Sequence, residues 1–191
     1  AFTNQCHLEA KFDIEVEKNV THTHTTARCV KVGSGDAPNG KILGSYFYLS
    51  QSLDAGFIGT ESNVHVDISM NRGYHAIKNK LRNINKVFHQ IEKKLAQLLS
   101  KRSRTEQAQL DKAHVNKQVD LCQNHLQQYA KQKVALKKAK EMYLNSLYIR
   151  ANAKLMTHVK CKFAEKSLIT QEDKNASHVH LIDGKVGVEP L

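Results

Sequence analysis

Tryptophan is absent from this 191-residue chain, proline occurs only twice, and aromatic residues make up 6% of it. Any core must therefore be filled mainly by aliphatic side chains. No apolar run approaches the roughly 18 residues that a membrane-crossing helix needs, so no transmembrane segment of that kind is expected. Four cysteines, Cys6, Cys29, Cys122 and Cys161, never stand at CxxC spacing, which argues against a zinc knuckle. HExxH and GxSxG are both missing, and Gly33-Ser34-Gly35 lacks the rest of a phosphate-binding loop. No catalytic residue can be named, no cofactor is implied, and the expectation is a protein that is not an enzyme. No internal repeat and no low-complexity tract stands out.

What is present is positive charge, unevenly placed. The chain carries +11 at pH 7. Residues 74–150 hold 17 Lys/Arg against 5 Asp/Glu, and the remainder is close to neutral. Such a segment attracts nucleic acid, acidic glycan or an anionic membrane surface. The same stretch lacks glycine and proline, since all nine glycines and both prolines lie outside residues 74–183.

The middle of the chain reads as helix. Ile77, Leu81, Ile84, Phe88, Ile91, Leu95 and Leu98 recur at alternating spacings of four and three, a heptad seam. Asn71 is placed to cap its start. The pattern fails across Lys101-Arg102-Ser103-Arg104, and Ser103 with Glu106 reads as a capping box that opens a second helix. A second seam runs through Val115, Val119, Cys122, Leu126 and Tyr129. A short link between two seams predicts an antiparallel hairpin. The rival is one continuous helix that makes a homo-oligomer.

The first third reads as strand. Cys6, Leu8, Ala10, Phe12, Ile14 and Val16 alternate with polar residues, and Val20–Val30 is rich in Thr and Val. With Glu17-Lys18 as a two-residue turn, Cys6 would face Cys29 across a hairpin, close enough to bridge. Residues 33–44 form a loop, 42–53 strand or short helix, and Val64, Val66, Ile68 and Met70 a short strand. Residues 151–166 fit either a basic-faced strand, which could pair with the acidic-faced 6–17, or a continuing helix. Asp183-Gly184 between two apolar runs predicts a hairpin turn.

The expected fold is α+β, a single domain over 1–191. A β-rich part (1–72) and C-terminal strands (151–191) would make a small antiparallel sheet, with a long, coiled-coil-like helical hairpin (73–150) between them. Candidate anion-binding residues are Lys78, Lys80, Arg82, Lys86, Lys101, Arg102, Arg104, Lys131, Lys133, Lys137, Lys138 and Lys140. Two histidine pairs, His22/His24 and His178/His180, have the i,i+2 spacing that on a strand puts both imidazoles on one face, as Zn²⁺ or Cu²⁺ binding requires. The alternative is that these are plain exposed histidines. The cysteines are expected as Cys6–Cys29 and Cys122–Cys161 disulfides, or else as four reduced thiols. Asn19 and Asn175 head N-glycosylation sequons.

These features lead to a non-enzymatic, secreted or extracytoplasmic glycoprotein whose basic helices engage an anionic or protein partner. A first residue of Ala rather than Met is expected of a chain whose leader was removed, or of a fragment. The alternatives are a cytoplasmic nucleic-acid-binding protein, with the basic coil along a phosphate backbone, and a metal protein or enzyme using the histidines. Cysteine state separates the first two, and metal analysis the third.

Overall fold

The computed structural model describes residues 3–35, 39–61, 64–104 and 109–191, without the side chains of 103, 104 and 109–112. Thirteen strands form one mixed sheet. They are β1 (Thr3–Asn4), β2 (His7–Glu9), β3 (Ile14–Val16), β4 (Asn19–Thr21), β5 (His24–Val32), β6 (Lys41–Leu43), β7 (Tyr46–Ile58), β8 (Val66–Ser69), β9 (Tyr148–Leu155), β10 (Val159–Phe163), β11 (Lys166–Ile169), β12 (Ser177–Ile182) and β13 (Lys185–Pro190). Two helices, α1 (Arg72–Arg104) and α2 (Gln109–Asn145), lie between β8 and β9. The chain divides into two compact units, residues 1–75 with 142–191, and residues 76–141.

In the β unit the chain winds round and stacks on itself. Three columns of paired residues trace the winding. Thr3, Val20, Ile42, Ile58 and Leu155 stack on one face, all in parallel register. Leu8, Thr25, Phe47, Ile68 and Cys161 stack on the second. Ile14, Val30, Leu53 and Ile149 stack on the third. One turn of chain thus supplies a strand to each face, and the next turn lies on top of it. Parallel strands normally need a long crossover; here the rest of each turn is the crossover. A single turn cannot bury its inward side chains, but a stack makes them one continuous core. Phe47, Ile42, Leu53, Ile58, Ile68, Ile149, Leu155 and Phe163 are fully buried there.

The corner between the first and second faces repeats in backbone detail. Gln5, His22, Gly44 and His158 each take a positive φ, of 48°, 47°, 53° and 60°. Beside this corner a polar stack is enclosed: Cys6 Sγ contacts Thr23 Oγ1 at 3.6 Å, and the Thr23 N–H donates to Ser45 Oγ at 3.1 Å.

The stack ends where the chain reverses. β11 runs antiparallel to β10, β12 antiparallel to β9, and β13 antiparallel to β12. The turn between β12 and β13 is Asp183-Gly184, with φ of 49° and 74°, the positive pair the sequence asks of Asp-Gly.

The helices interrupt one rung of this stack. β8 leaves on the second face, with Ser69 paired to Tyr48; β9 resumes on the third, with Tyr148 paired to Ser52. Both strands therefore lie on β7. Within the β unit the two ends of the excursion are tied together. The Tyr143 hydroxyl donates to the Ser50 carbonyl at 2.6 Å. Its ring fills the space where Gly73 has no side chain: a Cβ there would lie 2.4 Å from the Tyr143 oxygen.

Several expectations are overturned. The sheet is neither small nor antiparallel, and the fold is not a coiled-coil-like hairpin carrying a minor sheet. The thirteen strands are the fold, and the helices are inserted in it. The alternating run 6–17 is not one strand of a hairpin: it bends into β2 and β3, and both pair in parallel with β5. Cys6 therefore stands beside Thr23, and Cys29 opposite Ser52. All four cysteines are free, so neither the Cys6–Cys29 nor the Cys122–Cys161 disulfide exists. Cys161 is fully buried in β10, and burial pushes its thiol up to about 12. The secreted reading loses the support it drew from those disulfides. The glycoprotein reading falls too. The Asn19 amide oxygen accepts the Lys41 N–H at 3.2 Å, and Ser177 of the second sequon is buried with its hydroxyl on the Asn175 carbonyl at 2.6 Å. Residues 151–166 are two strands joined by a turn rather than a continuing helix, but β9 and β10 pair with β7, β12, β8 and β11 rather than with residues 6–17.

In the helical unit every α1 seam residue from Ile77 to Leu98 is only half-buried, and Val119 and Cys122 are the buried members of the second seam. The Lys133 ammonium lies 5.6 Å from the Phe88 ring centre, a contact that one continuous helix could not make. Asn71 precedes α1 and its carbonyl accepts from His75, but its side-chain oxygen has no partner. The Ser103–Glu106 box lies outside the described residues.

Candidate functional site

The expected cationic residues occur on the two helices and are mostly solvent-facing. Lys78, Lys80, Arg82, Lys86, Lys101, Arg102, Lys131, Lys137 and Lys138 are exposed, Lys133 and Lys140 half-buried, and the Arg104 side chain is outside the described residues. α1 brings a subset of them together. Lys78, Arg82, Lys86 and His89 follow one another at steps of four, four and three, so they line one face of the helix. With Leu81, Asn79 and Asn85 they border a groove of about 470 Å³. The floor is mixed, apolar at Leu81 and amide at Asn85, whose Oδ1 is buried without a hydrogen-bond partner. His89 is the member that charge counting missed; its Nδ1 lies 2.8 Å from Glu92 Oε2. Lys133 is drawn away from the solvent by the Phe88 ring.

The histidine pairs fare differently from each other. His22 is a corner residue with positive φ, packed where Gly44 leaves room, and His24 begins β5 in a stack with His7 (6.4 Å) and Tyr46 (5.6 Å). The corner therefore turns the two rings toward different neighbours. His178 and His180 share one face of β12, with their Nδ1 atoms 3.0 Å apart.

The outer side of the third face carries a ladder of charge that sequence reasoning did not find. Glu15, Lys31, Asp54, Arg150, His178 and Glu189 occupy successive rungs. Lys31 lies 3.6 Å from Glu15, Arg150 3.7 Å from Asp54, and His180 Nε2 3.4 Å from Glu189. Burial raises the Asp54 carboxyl above its usual range, against the pull of Arg150. Burial also lowers His178, helped by His180 and Arg150. The signal was the outward position of each strand, but reading it requires the rung register, which no local pattern supplies. Nothing in this ladder forms a nucleophile–base pair, and among the described residues no three His, Cys, Asp or Glu converge to hold a metal.

Among the described residues no helix is long and apolar enough to cross a membrane. Residues 1–186 match the family model described as FapA, the flagellar assembly protein A β-solenoid domain. No curated protein and no solved structure matches the chain.

Proposed function

Since this chain belongs to the flagellar assembly protein A β-solenoid domain family, we propose that it is a non-enzymatic interaction domain of flagellar assembly that docks an acidic protein segment on α1. The observation that carries this reading is the groove at Lys78, Arg82, Lys86 and His89. Three permanent cations and one imidazole border a partly apolar floor, which suits an acidic amphipathic segment. A phosphate backbone would use the cations but not Leu81. Aromatic residues for base stacking are also few on this segment, with Phe88 already engaged by Lys133.

The test uses the full chain and a fluorescent peptide alternating Glu with Leu, with a DNA duplex of equal charge beside it. The peptide should bind, and its affinity should fall steeply between low and physiological salt, because exposed charges are screened over about 8 Å there. Lys78→Glu/Arg82→Glu/Lys86→Glu should lower that affinity at least tenfold with the melting temperature unchanged. Equal binding by the triple variant sinks the groove as the site. Tighter binding of the duplex than of the peptide, abolished by the same variant, assigns the groove to nucleic acid instead.

A further inference from the structure

We propose that His178 and His180 form a site for one divalent transition-metal ion of the Cu²⁺ or Ni²⁺ kind on the outer face of β12. Three features of the pair support this, all independent of the helices. The first is distance. The two Nδ1 atoms stand 3.0 Å apart, with ring centres at 4.4 Å and planes inclined by 76°. Two nitrogens bound cis at about 2.0 Å to a metal with tetragonal geometry are about 2.8 Å apart, whereas tetrahedral angles spread them to about 3.3 Å. The observed spacing lies nearer the tetragonal value.

The second is tautomer. His180 Nε2 lies 3.4 Å from the Glu189 carboxylate. A proton held there toward Glu189 leaves the His180 Nδ1 lone pair free, the arrangement by which metal-bound histidines are oriented and made more basic. In the metal-free pair this lone pair accepts the Nδ1–H of His178. A metal ion takes the place of that shared proton, which passes to Nε2 of His178, an atom that is buried and has no hydrogen-bond partner.

The third is the charge around the pair. Arg150 stands opposite His178 on β9 but is held by Asp54 at 3.7 Å. Glu189 stands opposite His178 on β13, and the Tyr148 ring packs edge-on against His178 at 5.4 Å. The surroundings are thus balanced to slightly negative and accept a dication. Since no third His, Cys, Asp or Glu converges here among the described residues, water completes the coordination and the ion is exchangeable.

The full chain, purified without a histidine tag, is titrated with CuCl₂ and with NiCl₂ by calorimetry, and the copper form is examined by electron paramagnetic resonance. One equivalent of Cu²⁺ should bind, with hyperfine structure from two imidazole nitrogens. His178→Ala and His180→Ala should each lower the affinity at least tenfold, and Glu189→Gln about tenfold. His22→Ala/His24→Ala should change nothing, because the corner separates those rings. The second His pair also keeps the test sound if a β12 variant melts early: the His22→Ala/His24→Ala protein is then titrated alone and must still bind one equivalent. Absence of copper binding overturns the proposal. So does copper binding retained in the folded His178→Ala/His180→Ala protein, or lost in the His22→Ala/His24→Ala protein.

Discussion

Gly44 takes φ 53° at the corner between the first and second faces, and a Cβ there would lie 2.6 Å from Nδ1 of His22. Two costs therefore fall on one substitution, left-handed backbone and a displaced ring. Gly44→Val should lower stability by about 1–3 kcal/mol, read from denaturant unfolding. Gly184, also left-handed but with open space around it, should incur the backbone cost alone on Gly184→Ala. Tyr143 poses the opposite case, a side chain held by what surrounds it. Its hydroxyl donates to Ser50 O at 2.6 Å, and burial pushes the phenol up to about 12. Tyr143→Phe should cost about 1 kcal/mol at neutral pH. The pH dependence has a definite sign. The folded value lies above the ordinary 10, so the stability due to the neutral phenol is complete below pH 10 and is lost as pH rises toward 12. An alkaline stability profile should be flatter for Tyr143→Phe than for the parent in that window; identical profiles would place the alkaline loss elsewhere.

At the scale of elements, the strands and helices differ in how much their apolar residues are enclosed. Phe163 of β10 is fully buried, between rungs that cannot close over a gap without shifting the ladder. Phe163→Ala should cost about 3–5 kcal/mol. Phe88 on α1 keeps partial exposure and a lysine over its ring, so Phe88→Ala should cost less than half as much. Equal losses at the two positions would mean that the helices are as tightly enclosed as the sheet. The seam at Ile77–Leu98 and the Asp183-Gly184 turn were legible because helix and hairpin are local, set by residues within a few positions of each other. The pairing of the alternating runs was not. Alternation says that a strand has one buried face, but it does not say which strand lies beside it. Neighbouring runs invite an antiparallel hairpin, and the chain instead bends between β2 and β3 and at His22 and lays each run on the one a full turn later.

At the scale of the molecule, the columns of paired residues continue across the helical excursion. Leu53 pairs with Ile149, and Ile68 with Cys161, although residues 72–145 intervene in the chain. The β unit owes its core to those columns. Replacing residues 76–141 by a short glycine-rich link should leave a chain with the parent's β circular dichroism and a cooperative melt. The same deletion should abolish binding of the acidic peptide. A deleted chain that fails to fold would show that the β unit depends on the helices.

By itself the sequence determined the position of the helices, the concentration of positive charge on them, and the hairpin turn near the end. Each follows from periodicity, composition or turn chemistry within a short window. Only the tertiary structure decided that the strands stack in parallel turns, that Cys6 meets Thr23 rather than Cys29, and that of two equally spaced histidine pairs one converges and the other is split. Those outcomes depend on register between segments separated by a turn of unequal length. From Val20 the next residue on the same face is Ile42, and from Ile42 it is Ile58. With no constant period, the repeat leaves no trace along the chain and appears when the turns are laid on one another.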